Sequence, residues 1–377
     1  MRVVYASFDE VPSFKAASTH ILANCRATVR RHRVTLLTIG ETELPPGPAF
    51  VHIPAALREP NLLRRGLAFR AFVRRHLERE RPDVVHFRTP WEGMAAVELG
   101  LPSVYEVNGL PSLELPYVHG QVTPHVLGVL QRWERACLAH ATRIVCPAAR
   151  IRDFLVERAA VDRPGRIVVI PNGYDPVPAI PSPGVDGPLR AVYLGTLHPW
   201  QGIHWAIRGF TQLRGRWELV IHGIGRREWL ERMRRRIRRH GLLDTVRLEP
   251  PLDRSRLHQG LSGFHAGLAP LLDTGRNTEQ GCCPVKIMDY LAHGLPTVAA
   301  DLAVVRPLIR HGDNGLLFPP NSLHGLVAAL QALDDRRDEL PALRQRVYAS
   351  LARLPTWSEC SRRLVEVYES SVANSRR

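Results

Sequence analysis

The chain alternates short apolar runs with segments that have helical spacing. The apolar runs are nearly continuous, which is typical of strands buried on both faces of a sheet. Such strands, separated by helices, predict a parallel sheet covered by helices on both sides. In the first half of the chain the predicted strands are residues 2–7, 33–39, 50–54, 83–87, 102–107, 143–147 and 166–171, and the predicted helices include 19–31, 61–80 and 124–141.

The same pattern starts again after a proline-rich segment. Residues 175–188 contain five prolines, which are excluded from helix interiors and central strands and therefore predict a stiff linker. We expect two doubly wound α/β domains on either side of it, with ligands at the carboxyl ends of the strands and the cleft between the domains as the default site. The predicted strands of the second half are residues 190–197, 218–223, 245–250, 266–271, 296–301 and 315–320.

Charge and cysteine content narrow the class of partner. The net charge of +15 favours an anionic partner, such as a phosphorylated substrate or an acidic membrane, although many of the arginines could instead be solvated helix faces. A nucleic-acid partner is disfavoured, because no reader motif or row of aromatic residues accompanies the charge. The six cysteines have no metal-ligand spacing, and no apolar run has the length of a membrane-spanning helix, so we expect a reduced, cytoplasmic chain without a metal or cofactor.

One of only two lysines lies in the segment GCCPVKIMDYLAHGLP, residues 281–296. Pro284 suits the first turn of a helix, and a helix N-terminus offers free N–H groups and a positive dipole end to phosphate. Lys286 adds a positive charge, and Asp289 on the same face can accept two hydroxyl groups of a ribose. The segment predicts a nucleotide-diphosphate site, and its alternative is an exposed Lys–Asp ion pair of little energetic weight. The small residues that lead into this helix are Gly281, Cys282 and Cys283.

Three further loops of the second half are polar and rich in glycine, and each follows a predicted strand. We expect them to converge on one edge of the sheet, although a glycine after a strand can also be a simple tight turn. Their donor-site candidates are Gly195, Thr196, Gln201 and Gly202 in the first loop, Gly223, Gly225 and Arg226 in the second, and Arg276, Asn277 and Glu279 in the third.

The first half carries two segments of its own that could contact an anion or an acceptor. Lys15 and the small residues Ala16, Ala17 and Ser18 precede the helix at 19–31 and form a candidate phosphate loop. After another strand, Glu106 and Asn108 point to the cleft, where Glu106 is either a catalytic group or a carboxylate that caps a turn.

The segment 64–82 predicts a basic amphipathic helix with an apolar stripe from Leu67 to Leu77. Such a helix can lie on an anionic membrane, or it can pack its stripe on the sheet as an ordinary surface helix.

These motifs together resemble the family-4 retaining glycosyltransferases, which have the GT-B fold. PDVVHF, IPNGYD, YLGTLHPWQG, the GxG loop, MDYLAHGLPTVAAD and NGLLFPP occur in the family's order and spacing over nearly the whole chain. The resemblance implies two Rossmann-like domains that face each other across a cleft. Residues 1–178 would form the acceptor-side domain, together with the helix 356–377 that crosses back to it; residues 189–355 would form the donor domain, and 175–188 the hinge.

Three departures from the family pattern fall inside the expected site. The family's two glutamates, which have seven residues between them, correspond to Gly281 and Asp289, so that Glu279 is the nearest carboxylate to the first of them. The Arg and Lys that usually contact the diphosphate correspond to Thr196 and Gln201. The histidine of the first-domain loop corresponds to Asn108, and Lys286, Arg226 and Arg276 become the candidates to meet the diphosphate charge.

The resemblance implies a metal-independent, hexosyltransferase-like enzyme. It would move a sugar from a nucleotide-diphosphate donor to a hydroxyl acceptor with retained anomeric configuration. Asn108, Glu279 and Lys286 are the expected catalytic residues. The acceptor is expected to be a lipid-linked or cell-envelope glycan precursor, met at the inner face of the membrane. The alternative function is a non-catalytic GT-B scaffold in envelope glycan assembly.

Overall fold

A computed structural model describes residues 1–44, 49–119, 122–159 and 161–375, with side chains up to residue 373. The chain forms two compact units. The first unit contains Met1–Asn172, Gln280–Cys282 and the chain from Trp357 onward. The second unit contains Gly173–Glu279 and Cys283–Thr356.

The first unit is built on a sheet of seven parallel strands within the described residues, in the spatial order β3-β2-β1-β4-β5-β6-β7. The predicted strands are all present. Chain order reverses between β1 and β4, so the carboxyl ends of these strands border the crevice where ligands bind in sheets of this kind. The bounds are β1 Arg2–Glu10, β2 Arg33–Ile39, β3 Val51–Ala55, β4 Val84–Phe87, β5 Ser103–Glu106, β6 Arg143–Cys146 and β7 Ile167–Val169.

Helices cover both faces of this sheet. Their bounds are α1 Ala16–Thr28, α2 Leu62–Glu80, α3 Pro90–Glu98, α4 Pro111–Val118, α5 Pro124–His140, α6 Ala149–Glu157 and the last helix, α13, Trp357–Ser375. The expected return of the last helix to the first unit is confirmed. It packs on α1, where Ser361 Oγ donates to Asn24 Oδ1 over 2.9 Å, and Tyr368 is fully buried in the same core.

Two local expectations for the first unit are wrong. Helix α1 begins at Ala16, three residues before the expected start, because Ala16 and Ala17 are strong helix formers and Lys15 is the extended residue at the cap. In α2 the buried stripe is Gly66, Phe69, Val73 and Leu77, whereas Leu67 is 48% exposed. Gly66 takes the core position because the Trp91 ring lies where a larger side chain would be.

The second unit has a sheet of six parallel strands within the described residues, in the spatial order β10-β9-β8-β11-β12-β13. The predicted strands are again present, and their bounds are β8 Leu189–Thr196, β9 Trp217–Ile224, β10 Val246–Glu249, β11 Ala266–Ala269, β12 Thr297–Ala300 and β13 Gly315–Phe318. The helices are α7 Ile203–Ala206, α8 Arg227–Arg239, α9 Leu257–Leu261, α10 Val285–Ala292, α11 Leu323–Asp334 and α12 Leu340–Ser350.

The proline-rich segment 175–188 contains no helix or strand and is fastened to the second unit by main-chain hydrogen bonds. The Ile180 N–H donates to the Tyr348 hydroxyl over 2.8 Å, and the Arg337 guanidinium donates to the carbonyls of Val185 and Gly187. Within the described chain, the helices are all too short or too polar to cross a membrane.

Candidate functional site

The glycine-rich loops of the second unit leave adjacent strands of its sheet. Strand β8 lies between β9 and β11, and all three run in the same direction, so their carboxyl ends share one edge. Chain order reverses between β8 and β11, which makes this edge the expected ligand crevice of a doubly wound sheet. The expectation that the three loops converge is therefore supported by the strand order.

Two glycines of the first loop have backbone conformations that other residues rarely adopt. Gly195 has φ +119° and Gly202 has φ +74°. A Cβ on Gly202 would lie 1.7 Å from the carbonyl oxygen of Pro270, at the end of the neighbouring strand. This loop thus depends on glycine for a close approach of two main-chain segments, not only for a turn.

We expect Gly202→Ala to destabilise the protein by about 1–3 kcal/mol more than Gly215→Ala, because the added methyl group has no room. Gly215 is a matched control: it has the same φ of +74°, with open space around its Cβ position. The control should show only the cost of the left-handed conformation, about 1–2 kcal/mol. Urea unfolding of both variants gives the comparison, and equal midpoints would show that the contact with Pro270 carries no weight.

Lys286 is buried beside this first loop, with 9% of its surface exposed. Its Nζ donates to Gln201 Oε1 over 2.7 Å and lies 3.8 Å from the centre of the Tyr193 ring. It is also 3.5 Å from the position of a Cβ on Gly195. The ammonium group therefore lies at the carboxyl end of β8, between Gly195 and the loop residue Gln201.

Asp289, one turn further along α10, is paired with an arginine and not with Lys286. Arg254 donates to its Oδ1 over 2.6 Å, and the same guanidinium donates to Asp175 over 2.8 Å. Burial raises the pKa of Asp289, while Arg254 opposes this rise as an opposite charge and a hydrogen-bond donor. The alternative of an exposed Lys–Asp pair is wrong, since both side chains are buried and bind other partners.

The entrance to α10 differs slightly from the expectation. Pro284 is the residue at the cap, and the helix itself begins at Val285. Gly281 has φ +91°, and a Cβ there would lie 3.0 Å from the Arg150 side chain. A glutamate at this position would therefore be strained, which gives a physical reason for glycine there. Cys282 and Cys283 are partly buried.

The other donor-site candidates fall into two groups. Asn277 is fully buried, and its amide donates to the carbonyls of Trp200 and Leu272, so its side chain holds the loop together. Gly223 lies inside strand β9 next to the side chain of Leu197, so the tight-turn alternative is wrong for it. The remaining candidates are partly or fully exposed: Thr196, Gly225, Arg226, Arg276 and Glu279.

A buried carboxylate organises the first unit. Glu106 lies at the end of β5 and is 2% exposed. It does not cap a turn. Hydrogen bonds reach its two oxygens from Tyr5 Oη at 2.9 Å, His20 Nε2 at 3.0 Å, His86 Nε2 at 3.0 Å, Arg88 Nε at 2.9 Å and Asn108 Nδ2. These donors come from β1, α1, β4 and the loops after β4 and β5, so one carboxylate connects the elements around the crevice.

The protonation state of this cluster follows from its contacts. Burial alone would raise the pKa of Glu106, but the charges of His20 and Arg88 and the hydrogen bonds hold it well below its ordinary value. An ionised carboxylate only accepts hydrogen bonds, so His86 donates through Nε2 and can accept from the Tyr368 hydroxyl through Nδ1, 2.9 Å away. Burial lowers the pKa of His86, in agreement with a neutral ring.

The candidate phosphate loop of the first unit is only partly exposed. Lys15 and Ala16 are exposed, while Ser18 is buried and its Oγ accepts from the Ser13 N–H over 3.0 Å. Ser18 therefore braces the loop, and Lys15 and Ala16 remain on the surface. Phe14, next to Lys15, is 56% exposed.

Sequence reasoning missed the charged partners of both carboxylates. Arg254 lies in a short turn after β10, and nothing in its neighbourhood indicates that Asp289, 35 residues later, is its partner. His20 and Arg88 were also missed, although Arg88 directly follows the predicted strand 83–87 and lies at a strand end. That position is the signal that could have identified it.

Two family models match this chain. The model described as Glycosyltransferase Family 4 matches residues 17–177, and the model described as Glycosyl transferases group 1 matches residues 188–335. Together they cover most of both units. The fold and these matches define the class as a GT-B glycosyltransferase. The chain belongs to the family-4 glycosyltransferases.

Individual relatives are distant. The glycogen synthase of Mycobacterium tuberculosis is 26% identical over 303 residues, which are 76% of this chain and 69% of that protein. An exopolysaccharide phosphotransferase of Streptomyces coelicolor is 29% identical over 199 residues, 50% of this chain. The match to the Streptomyces protein spans only 19% of that protein's own length.

Solved structures share the fold. Sucrose-phosphate synthase from Thermosynechococcus elongatus superimposes with a TM-score of 0.79 at 16% identity, over 99% of this chain and 100% of that one. Anabaena HepE in complex with UDP and glucose gives a TM-score of 0.73 at 15% identity, over 98% of this chain and 100% of that one. At these identities the likeness concerns the fold.

Proposed function

We propose that this chain is a retaining glycosyltransferase that moves a sugar from a nucleotide-diphosphate donor to a hydroxyl acceptor. One observation carries the proposal most directly. The Lys286 ammonium lies beside Gly195 and Gln201, in the loop where the family usually carries the Arg and Lys that contact the diphosphate. In this proposal, the single ammonium group of Lys286, contributed by α10, replaces the Arg and Lys that the family usually carries in the loop.

The donor would bind at the carboxyl edge of the second sheet. Lys286 and the N-terminal N–H groups of α10 would meet the diphosphate, because both place positive charge at the same end of the helix. Asp289, three residues further on the same face, would accept the ribose hydroxyls. The bound UDP of the Anabaena structure supports a nucleoside diphosphate as the ligand class.

The reaction needs no acid–base group of unusual strength on the donor side. When the bond between sugar and diphosphate breaks, negative charge develops on the leaving phosphate oxygen, and a fixed ammonium stabilises that charge without reorganisation. The remaining task is to position an acceptor hydroxyl. The expected mechanism is metal-independent.

The first unit would supply the acceptor side. Asn108, fixed by its hydrogen bond to Glu106, stands at the end of β5 where the family has histidine. Lys15 and the exposed Phe14 at the start of α1 present a cation next to an apolar side chain. These features fit a lipid-linked or envelope glycan precursor, met by a cytoplasmic enzyme at the inner face of the membrane.

Lys286→Ala is expected to lower kcat/KM for the donor at least tenfold, about 1.4 kcal/mol of transition-state stabilisation. The measurement is release of nucleoside diphosphate from a panel of UDP-, ADP-, GDP-, CDP- and dTDP-sugars. Arg232→Ala is the matched control, because it removes the same charge from the exposed face of α8. Equal kcat/KM in the two variants would exclude Lys286 from the donor site.

A second candidate is a non-catalytic GT-B scaffold in envelope glycan assembly. The observation in its favour is that Gly281, Thr196 and Gln201 carry no charge where the family has a glutamate, an arginine and a lysine. Binding of nucleoside diphosphates without turnover of any nucleotide-sugar in the panel, with membranes or glycan acceptors present, would favour the scaffold.

A further inference from the structure

Arg254 is held at the centre of a three-residue ion-pair cluster in the second unit. Its guanidinium donates to Asp289 over 2.6 Å and to Asp175 over 2.8 Å. The short helical turn that carries it, Arg254–Arg256, is itself fixed, because Asp253 Oδ1 accepts from both the N–H and the hydroxyl of Ser255. Arg254 therefore starts from a defined main-chain position and reaches both carboxylates at once.

Arg254 favours the charged form of Asp289 and opposes the effect of burial. Its side chain is 12% exposed, and a carboxylate so deeply buried is costly without a partner. Within the described part of the chain, Arg254 is the cation within ion-pair distance of Asp289. Lys286, on the same helix, donates to Gln201 instead.

The remaining charged and titratable groups around Asp289 do not replace Arg254. Asp175 has the same charge as Asp289 and raises the pKa of Asp289, whereas Arg254 lowers it. His293 follows one turn later on α10, and its Nδ1 lies 2.7 Å from the main-chain carbonyl of Asp289. Burial lowers the pKa of His293 to about 4, so this ring is neutral near pH 7. His258 of α9 packs against His293, with ring centres 5.6 Å apart.

We propose that Arg254 is a positioning residue for the nucleotide donor, which holds the Asp289 carboxylate by Oδ1 and leaves Oδ2 for the ribose hydroxyls. Asp175 holds the guanidinium from the other side. The inference rests on the proposed function, because it takes the ribose as the ligand of Asp289. Arg254 itself does not touch the reacting atoms.

The role predicts a pH dependence that a structural role would not give. The ionised carboxylate accepts stronger hydrogen bonds from the two hydroxyls than the neutral acid does, and loss of Arg254 leaves burial to favour the protonated form. In the variant, Asp289 would take up its proton at higher pH than in the wild type. Donor binding would therefore weaken as the pH falls, and in the variant this weakening would begin at a higher pH than in the wild type.

The experiment compares Arg254→Met with wild type by the donor KM and the nucleoside diphosphate Kd between pH 5 and 9. We expect KM to rise at least tenfold at pH 6, to approach the wild-type value toward pH 9, and kcat at saturating donor to change little. Arg254→Lys keeps the positive charge but loses the planar guanidinium that reaches both carboxylates. Its donor KM should lie between those of the wild type and Arg254→Met. Arg256→Met is the matched control, since it removes an exposed guanidinium from the same turn.

The outcomes separate this inference from the proposed function. A wild type that binds no nucleoside diphosphate contradicts both. A wild type that binds, with an Arg254→Met variant whose KM is unchanged or weakened equally at every pH, overturns the inference alone. If Arg254→Met fails to fold, Arg254→Lys decides: an acid limb of the KM profile moved to higher pH supports the role, and an unmoved limb overturns it.

Discussion

Glu106→Ala is expected to lower the free energy of unfolding by about 3–5 kcal/mol, the usual cost of breaking a buried ion pair. The side chain accepts hydrogen bonds from five residues of the first unit, and its loss leaves the buried Arg88 guanidinium with Asp9 as its remaining carboxylate partner. His86 and Tyr5 would also lose acceptors in the core. Since whole domains are stable by about 5–15 kcal/mol, this change would remove a large fraction of the total.

The measurement is urea unfolding of Glu106→Ala and Glu106→Gln at pH 7, with Glu134→Gln as the matched control for the glutamine variant. Glu134 is a buried acid of the same unit, and burial raises its pKa to about 7 against the lowering effect of its hydrogen bonds from Ser112. An amide resembles the neutral form of this acid, which is about half protonated at pH 7, so Glu134→Gln should cost much less than Glu106→Gln. Equal losses in the two glutamine variants would contradict a charged role for Glu106.

The pH dependence of stability has a definite sign. The folded-state pKa of Glu106 is lower than the unfolded one, so its stabilisation is fully present above the unfolded value of about 4.3 and is lost as the pH falls through the folded value. His86, whose folded pKa is also lowered, adds a loss of stability below about pH 6.5, because the unfolded ring takes up a proton first. Glu106→Gln should flatten the acid part of the profile.

Asp289→Ala is expected to raise the donor KM by about ten- to a hundredfold. Hydrogen bonds to a charged group contribute about 1.5–3 kcal/mol, and the carboxylate would contact the ribose equally in the ground and transition states. The effect should therefore appear in KM more than in kcat. Steady-state kinetics over a range of donor concentrations separates the two parameters.

The control for this change is Asp335→Ala, which removes an exposed carboxylate of the second unit that pairs with Arg216. We expect its donor KM to equal that of the wild type. An Asp289→Ala variant with an unaltered KM would exclude the ribose contact and leave Lys286 as the main support for donor binding.

The strands were predictable because parallel strands buried on both faces have continuous apolar sequences. Every predicted strand has a counterpart in the two sheets, and the edge where the glycine loops meet follows from the strand order. The start of α1 was not predictable from apolar spacing, because small alanines add little to an apolar stripe; the helix propensity of Ala16 and Ala17 was the signal for the earlier start. The main-chain conformation at Lys15 marks that start.

The site was predictable only in part. Lys286 and Asp289 could be identified since they lie on one short helix at a fixed spacing. Their partners could not, because Arg254 and Gln201 are contributed by loops far away in sequence. The strain that keeps Gly281 a glycine is also visible only in the backbone angle.

Calorimetric titration of nucleoside diphosphates tests the central claim most directly, that α10 of the second unit forms a donor site. The ligands are UDP, ADP, GDP, CDP and dTDP, and the proteins are wild type, Lys286→Ala and Arg232→Ala. We predict that at least one ligand binds the wild type and the Arg232→Ala control equally, and binds Lys286→Ala at least tenfold more weakly. The account is contradicted if no nucleoside diphosphate binds the wild type, or if Lys286→Ala binds it with unchanged affinity.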